Sequence, residues 1–466
     1  MKILLCSFWA LPHVGGISTY VQNLKSGLES LGHEVDIFAQ HPSFDSYYIL
    51  DKPEFRFPKH PIWQPIYTYI RTYYNQLGSR MEPWVLETEA ERYSFEFACS
   101  LLKLDAYDLI HVQDLISATA LTRIKPYSVP LLSTVHGWFP NEYNLDHPES
   151  GEGSLTWRYN QYLEYTGVSN CDLAIFPSKW LYNIFAGDMD IPAARLIQVP
   201  YGIKTENYLT KRNHTLELKP PGHKVLSCIA RLVPLKGHRY VLEALSMLKK
   251  ERTDWVCYII GEGNQREQLE VLSKQLGLDK HVQFVGKTDD VPSWLQQSDI
   301  VLLPSIQDNQ PFVIIEAQLS GKPIIVTDAG GMPEMVEHGK TGLIAQKASA
   351  ESIYSHIKTL MENEEMCLKL GNAARLRAQE RWTIDKMINR VIALYKQAIL
   401  QKSEENSMKN TVRQVKAASI KSVYPYADKN LLDNKDLENW KQALDNFPSN
   451  YTVPDPNVVK LIQKSV

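Results

Sequence analysis

The sequence predicts an α/β protein of two doubly wound parallel-sheet domains facing a cleft, followed by a C-terminal tail. Three observations carry that expectation. Short, unbroken apolar runs, the kind buried on both faces of a parallel sheet, alternate with helical patterns along residues 1–205. The alternation restarts after a polar stretch at residues 204–223 and continues to residue 382. The 466 residues suffice for more than one domain at about 100 to 200 residues each. Two such domains in tandem leave a cleft where the loops at strand ends normally hold ligands.

The first apolar run, residues 3–8, leads into Pro12-His13-Val14-Gly15-Gly16 rather than a small-x-small cleavage site, so it reads as a buried strand and not a signal peptide. A helical pattern over residues 18–31 follows and is closed by Gly32. Further strands are expected at residues 34–39, 109–112, 131–135 and 173–177. Residues 47–97 break the rhythm, with Tyr47, Tyr48, Trp63, Tyr67, Tyr69, Tyr73, Tyr74 and Trp84 interleaved with Lys59, Arg71 and Arg80. Aromatic helices that cover the domain's own sheet explain this segment, and so does an insertion that meets an acceptor or a membrane interface. In the second half, strands are expected at residues 224–230, 255–261, 282–286, 300–304 and 323–327. Residues 401–466 mix charge with isolated apolar positions and read as a partly helical tail without chemistry.

Composition excludes several classes. Hydrophobic residues make up 44% and charged residues 22% of the chain, which is globular rather than disordered. With 50 Lys and Arg against 53 Asp and Glu, no whole-chain field draws it to nucleic acid. No apolar run reaches the roughly 18 residues of a membrane-spanning helix. The six cysteines form no C-x-x-C pair, and Cys6, Cys228 and Cys257 sit inside strand-like runs, as reduced core residues of a cytoplasmic protein do. Peripheral contact with the inner face of a membrane is the one membrane role that the aromatic segment leaves open.

Three stretches carry chemistry. Gly15 and Gly16 lie between a strand and a helix, where backbone N–H groups approach an anion closely. The spacing is not G-x-G-x-x-G, which argues against a nicotinamide dinucleotide. Arg231 leaves a strand and Lys236 precedes a helix over residues 238–250, so a planar fork and a point charge converge on one polyanion such as a diphosphate. A solvated cation pair is the plainer alternative, though cations at a helix start are unfavourable without an anion beside them. Asp308 and Glu316 bracket a polar loop and a short helix begun by Pro311 and ended by Gly321. Carboxylates there either accept from sugar and ribose hydroxyls or serve only as ordinary helix-start and helix-face charge.

The ordered set of Gly15-Gly16, Thr134-Val135-His136-Gly137, Arg231 to Lys236-Gly237, Gly261-Glu262-Gly263, Phe284-Val285-Gly286, Pro304-Ser305, Asp308 to Glu316 and Gly330-Gly331-Met332-Pro333-Glu334 resembles the retaining, nucleotide-sugar-dependent glycosyltransferases of family four. The resemblance covers residues 1–400 and implies two Rossmann-like domains in the GT-B arrangement: residues 1–205 on the acceptor side, residues 206–382 on the donor side, and a helix over residues 383–400 crossing back. It further implies that Arg231 and Lys236 grip the donor diphosphate and that Glu316 accepts from the ribose. Asp308 and His136 would act at the transferred sugar as the catalytic pair, and Gly15 and Gly16 would approach phosphate or acceptor. Gly263, Val285, Phe312 and Val313 would complete the donor site, with backbone near Val285 reading the base. No cofactor and no metal are implied, since fixed cations and amides stabilise the leaving diphosphate. The acceptor is left open among a sugar, a lipid-linked sugar and a small molecule.

Two departures stand out. Asp308-Asn309-Gln310-Pro311 replaces the usual Glu-Gly-Phe-Gly, and Pro311 removes a backbone donor. Tyr201 stands where Asn is common. Asp188-Met189-Asp190 matches a metal-diphosphate D-x-D, yet two acids underfill an octahedral site. The 13 His show no zinc spacing. A sugar-nucleotide epimerase of the same architecture and a non-catalytic nucleotide-sugar-binding protein are the competing functions.

Overall fold

The computed structural model describes residues 1–13, 15–78, 81–209, 222–408 and 434–463. Expectations on Val14, on Arg80, on much of the polar linker and on part of the tail lie outside the described residues. The chain divides into two compact units. One comprises Met1–Phe176, Ile184–Ile197 and Arg390–Val466; the other comprises Pro177–Asn183 and Gln198–Asn389.

The first unit is built on an eight-stranded sheet, and its strands begin with β1 (Lys2–Ala10), whose residues 3–7 are buried because both faces are covered. Helix α1 (Gly16–Ser30) buries Tyr20, Val21, Leu24 and Leu28, the three-and-four spacing of one face. Strand β2 (Glu34–Gln40) pairs parallel with β1, with Ile3 opposite Val35. Next come β3 (Ser46–Ile49) and β4 (Lys52–Pro58), antiparallel to their neighbours. The start of the aromatic segment is therefore a sheet-edge hairpin, which the helix-only reading of that segment did not contain. Tyr47 on β3 is fully buried and packs on Phe38 and Phe95.

Helix α2 (His60–Gln76) buries Ile62, Ile66, Ile70 and Tyr74 at four-residue spacing, and α3 (Pro83–Ser100) is buried along most of its length. The alternation then resumes with β5 (Leu109–Val112), α4 (Leu115–Ile124), β6 (Leu131–Thr134), α5 (Phe139–Asp146), α6 (Leu155–Ser169) and β7 (Leu173–Phe176). Asp114 caps α4 by accepting from the Ser117 N–H at 2.7 Å. After α7 (Lys179–Asn183), β8 (Leu196–Gln198) completes the order β4-β3-β2-β1-β5-β6-β7-β8.

In the second unit, α8 (Glu206–Leu209) precedes β9 (Lys224–Ile229), α9 (His238–Lys249), β10 (Trp255–Ile260), α10 (Arg266–Gln275), β11 (Val282–Gly286), α11 (Val291–Gln297), β12 (Ile300–Leu303), α12 (Phe312–Leu319), β13 (Ile324–Thr327) and β14 (Leu343–Ala345). The sheet is wholly parallel in the order β11-β10-β9-β12-β13-β14. Its core joins Leu226, Cys228 and Ile259 to helix residues such as Val241, Leu245 and Ile357. The strand order reverses between β9 and β12, and a crevice outside the carboxyl ends of strands forms at such a point. Helices α13 (Ala350–Glu362) and α14 (Glu364–Arg381) close this unit.

Residues 177–183 and 198–203 group with the second unit for identifiable reasons. The Lys179 and Trp180 N–H groups donate to Glu334 at 2.8 and 2.6 Å, and Ile203 bridges to Thr383. Helix α15 (Ile384–Met408) leads back into the first unit, to which α16 (Asn434–Asn446) and α17 (Pro456–Gln463) also belong. The tail is joined to that unit by specific contacts. Trp440 packs on Phe97 at 4.5 Å, the Asn446 amide donates to the Ser100 carbonyl at 2.6 Å, and Arg123 pairs with Asp455 at 2.6 Å.

Candidate functional site

The second unit gathers its candidate residues at the point where the strand order reverses. Arg231 lies just beyond β9 and is exposed, and its guanidinium makes no hydrogen bond or ion pair among the described residues. Lys236, in the turn before α9, pairs directly with Asp308, which follows β12. Asp308 also accepts from the Ser305 hydroxyl at 3.2 Å and the Asn309 N–H at 3.1 Å. Lys236 and Asp308, assigned from the sequence to diphosphate and sugar separately, are thus each other's partner in this structure.

The loop that departs from the family pattern is tied down by its own side chains. The Ser178 hydroxyl donates to Asn309 Oδ1, and the Tyr201 N–H donates to Gln310 Oε1 at 2.8 Å. The Tyr201 ring lies parallel to Phe312 at 5.0 Å and 6°. Tyr201 therefore has a role that the sequence did not disclose: it stacks on the first residue of α12. Pro311 caps that helix in an extended conformation, leaving Phe312 and Val313 in its first turn, where N–H groups lack intrahelical partners. Gly330, at φ 60°, holds the base of the loop, because a Cβ there would run into the Asp308 carbonyl.

Glu316, one turn into α12, accepts from the Tyr208 hydroxyl at 2.7 Å. Burial pushes its carboxyl up to about 7, and the Tyr208 hydrogen bond works in the opposite direction. Tyr208 was missed by sequence reasoning, since nothing in a lone tyrosine of a polar linker marks it. His238 was missed as well. It is buried, both ring nitrogens lack a partner among the described residues, and burial with Lys236 nearby pulls its pKa down to about 3. Gly263 lies where a Cβ would strike the Leu232 backbone, so close packing alone demands glycine there. Val285 is 37% exposed on β11, at the opposite edge of the sheet from β14.

In the first unit, Gly15 caps α1, and a Cβ on it would lie 3.0 Å from the His13 ring. Gly16 opens the helix. His136 follows β6, and its Nε2 lies 3.3 Å from Gln113 Oε1, with the Tyr20 ring edge-on at 4.9 Å. Gln113 Nε2 donates to the His111 carbonyl at 3.2 Å, so Oε1 faces the histidine and His136 Nε2 must carry the proton. Burial, with His111 a smaller cause, lowers the His136 pKa to about 3, so the ring is neutral and Nδ1 is its acceptor atom. Asp188 and Asp190 have no third His, Cys, Asp or Glu to complete a cation site among the described residues.

Comparison with known proteins agrees with this architecture. Residues 14–207 match the family described as Glycosyltransferase Family 4, and residues 210–377 match Glycosyl transferases group 1. The chain belongs to this glycosyltransferase family. The GDP-mannose-dependent alpha-(1-6)-phosphatidylinositol monomannoside mannosyltransferase of Mycobacterium tuberculosis is 29% identical to this family member over 226 residues, 45% of the chain and 58% of the relative. The MMP alpha-(1->4)-mannosyltransferase of Mycolicibacterium hassiacum is 23% identical over 423 residues, 86% of the chain and 98% of the relative. For the first of the curated relatives, the matched stretch spans only 52 to 58% of their length. HepE of Anabaena, solved in complex with UDP, superposes with a TM-score of 0.59 at 19% identity, over 85% of this chain and all of that one. That likeness establishes the GT-B fold. No helix among the described residues is long and apolar enough to cross a membrane.

Proposed function

We propose that the protein transfers a glycosyl group from a nucleoside-diphosphate sugar to an acceptor hydroxyl, with retention of anomeric configuration and without a metal. The observation that carries this reading is that Arg231, an exposed cation with no side-chain hydrogen bond or ion pair among the described residues, and the Lys236–Asp308 pair both follow strands β9 and β12, between which the strand order reverses. A cation so placed is matched by a ligand anion. The mannosyltransferase names of two relatives favour a mannosyl donor within the same reaction class.

In this reading the bond from the anomeric carbon to the diphosphate oxygen breaks, and the electron pair leaves with the diphosphate. Arg231 and Lys236 hold that growing charge, which they stabilise most in the transition state. The acceptor oxygen attacks from the same face and passes its proton to the departing diphosphate oxygen. Glu316 accepts from the ribose hydroxyls, taking over the place of the Tyr208 hydroxyl. Asp308 accepts hydrogen bonds from hydroxyls of the transferred sugar, and His136 Nδ1 is the acceptor atom that the first unit offers to a sugar hydroxyl.

The test is a thermal-shift series with nucleoside diphosphates and nucleotide sugars in EDTA, because a ligand that binds the folded state raises its stability. One base giving a selective shift, followed by an acceptor-linked product of retained configuration, supports the reading. Altered free donor points to the epimerase, and binding without turnover to the non-catalytic protein. A folded sample that shifts with no nucleotide sinks the donor site.

A further inference from the structure

The first unit holds a run of buried polar side chains that makes no contact with the sugar in the proposed reaction yet ends against His136. His111 on β5, Thr134 at the end of β6, Tyr20 on α1 and Tyr395 on α15 are all buried. Tyr395 Oη lies 2.7 Å from His111 Nδ1, His111 Nε2 lies 2.8 Å from Thr134 Oγ1, and Thr134 Oγ1 lies 3.3 Å from Tyr20 Oη.

Counting protons gives this chain one direction. The Tyr395 hydroxyl has His111 as its one partner among the described residues, and a buried hydroxyl left unpaired is costly, so it donates to Nδ1. Burial lowers the His111 pKa to about 3, so the ring is neutral; its proton sits on Nε2, which donates to Thr134 Oγ1. The Thr134 hydroxyl has Tyr20 as its other side-chain partner among the described residues, so its proton goes to Tyr20 Oη. Burial pushes the Tyr20 hydroxyl up to about 12, and the Thr134 hydrogen bond works in the opposite direction, as a donated one does.

His111 thereby reaches His136 by two routes. Its side chain acts through Thr134 on Tyr20, whose ring meets the His136 ring edge-on at 4.9 Å. Its carbonyl accepts from Gln113 Nε2 at 3.2 Å, which turns Gln113 Oε1 to His136 Nε2 at 3.3 Å. The first route sets the plane of the imidazole, and the second sets its tautomer. Apolar residues would fill these positions without the cost of desolvating so many polar groups, whereas a fully paired network fixes one arrangement.

We propose that Tyr395, His111 and Thr134 are positioning residues for His136, holding its imidazole in one orientation with Nδ1 kept as an acceptor. The inference deepens the glycosyl-transfer reading and rests on it, because the three residues act on the sugar only through His136.

Nitrogen-15 NMR of the full-length protein, labelled in its histidine rings, tests this, since protonated and unprotonated ring nitrogens resonate far apart. Signals are assigned by their loss in His111→Asn and His136→Asn. In the parent, both rings are expected to carry the proton on Nε2. Tyr395→Phe and Thr134→Val each remove a hydroxyl at nearly constant volume. Both are expected to shift the His136 nitrogen signals and to lower kcat roughly three- to tenfold, on the scale of one neutral hydrogen bond. The KM for the donor and the diphosphate-dependent rise in melting temperature stay as in the parent. Thr134→Ser keeps the hydroxyl and is expected to match the parent in signals and in kcat. If either variant folds poorly, Tyr20→Phe, which keeps the ring against His136, replaces it. Unchanged His136 signals in the folded variants overturn the proposal, and so does Thr134→Ser behaving like Thr134→Val. A parent that binds nucleoside diphosphate but forms no glycosyl product overturns the transfer reading instead, and the nitrogen signals alone then decide whether the chain holds His136.

Discussion

Asp308 lies against the Lys236 ammonium, the Ser305 hydroxyl and the Asn309 N–H at once, so its charge both neutralises a cation and organises a loop. Asp308→Asn removes the competitor for Lys236. Diphosphate affinity by calorimetry is expected to rise roughly tenfold or more, on the scale of one charge-assisted hydrogen bond, while glycosyl transfer falls because the sugar loses its carboxylate. Arg231→Ala is expected to lose about 1.5 to 3 kcal/mol of diphosphate binding. At Glu316 the folded-state pKa of about 7 exceeds the ordinary value of 4.5. The folded protein then holds a proton that the unfolded chain has released, and stability falls as pH rises from about 4.5 to about 7. Glu316→Gln should flatten that slope in denaturant titrations across this window; an unchanged slope would contradict the assignment. Gln113→Ala frees the His136 ring to take either tautomer, and a lowered kcat with unchanged diphosphate affinity is expected in steady-state assays.

The turns between strand and helix decide how the second unit positions its site. Gly261 follows β10, and a Cβ there would overlap the Ala230 carbonyl of the neighbouring strand's exit. Gly261→Ala is therefore expected to destabilise the unit by about 3 kcal/mol, an overpacking cost, measured as a lowered denaturation midpoint. The strands that carry these turns were legible in the sequence because each is a short, wholly apolar run. Residues 109–112 and 282–286 matched to the residue, and the other expected strands differ by at most two positions at either end. The β3–β4 hairpin was not legible, because Tyr47 and Phe57 sit in a mixed segment where aromatic spacing also suits a helix. Likewise Arg231, Lys236, Asp308 and Glu316 could be picked out by type and spacing. The Lys236–Asp308 pair, Tyr208 on Glu316 and Tyr201 on Phe312 join residues 72, 108 and 111 positions apart, beyond the reach of local pattern.

At the scale of the whole molecule, the first unit encloses charges that only the returning tail completes. Arg92 is fully buried between Glu89 at 2.7 Å and Glu96 at 2.6 Å, and Tyr451 donates to Glu96 at 2.5 Å. Arg123 bridges Glu96 and Asp455. Asp455→Ala leaves Arg123 with less counter-charge in a dry setting, and a loss of about 3 to 5 kcal/mol is expected, as for a broken buried pair. A chain cut after residue 433 should lose more, seen as an early unfolding step in calorimetry, while the nucleotide-dependent shift of the second unit persists. The same arrangement sets a timetable for biogenesis. Nearly all of the second unit is one continuous stretch ending at Asn389, whereas the first unit needs Tyr451 and Asp455. On a ribosome, where domains fold as they emerge, the later-encoded unit can finish first, and the earlier one waits, with Arg92 and its carboxylates not yet enclosed, until Tyr451 and Asp455 have emerged.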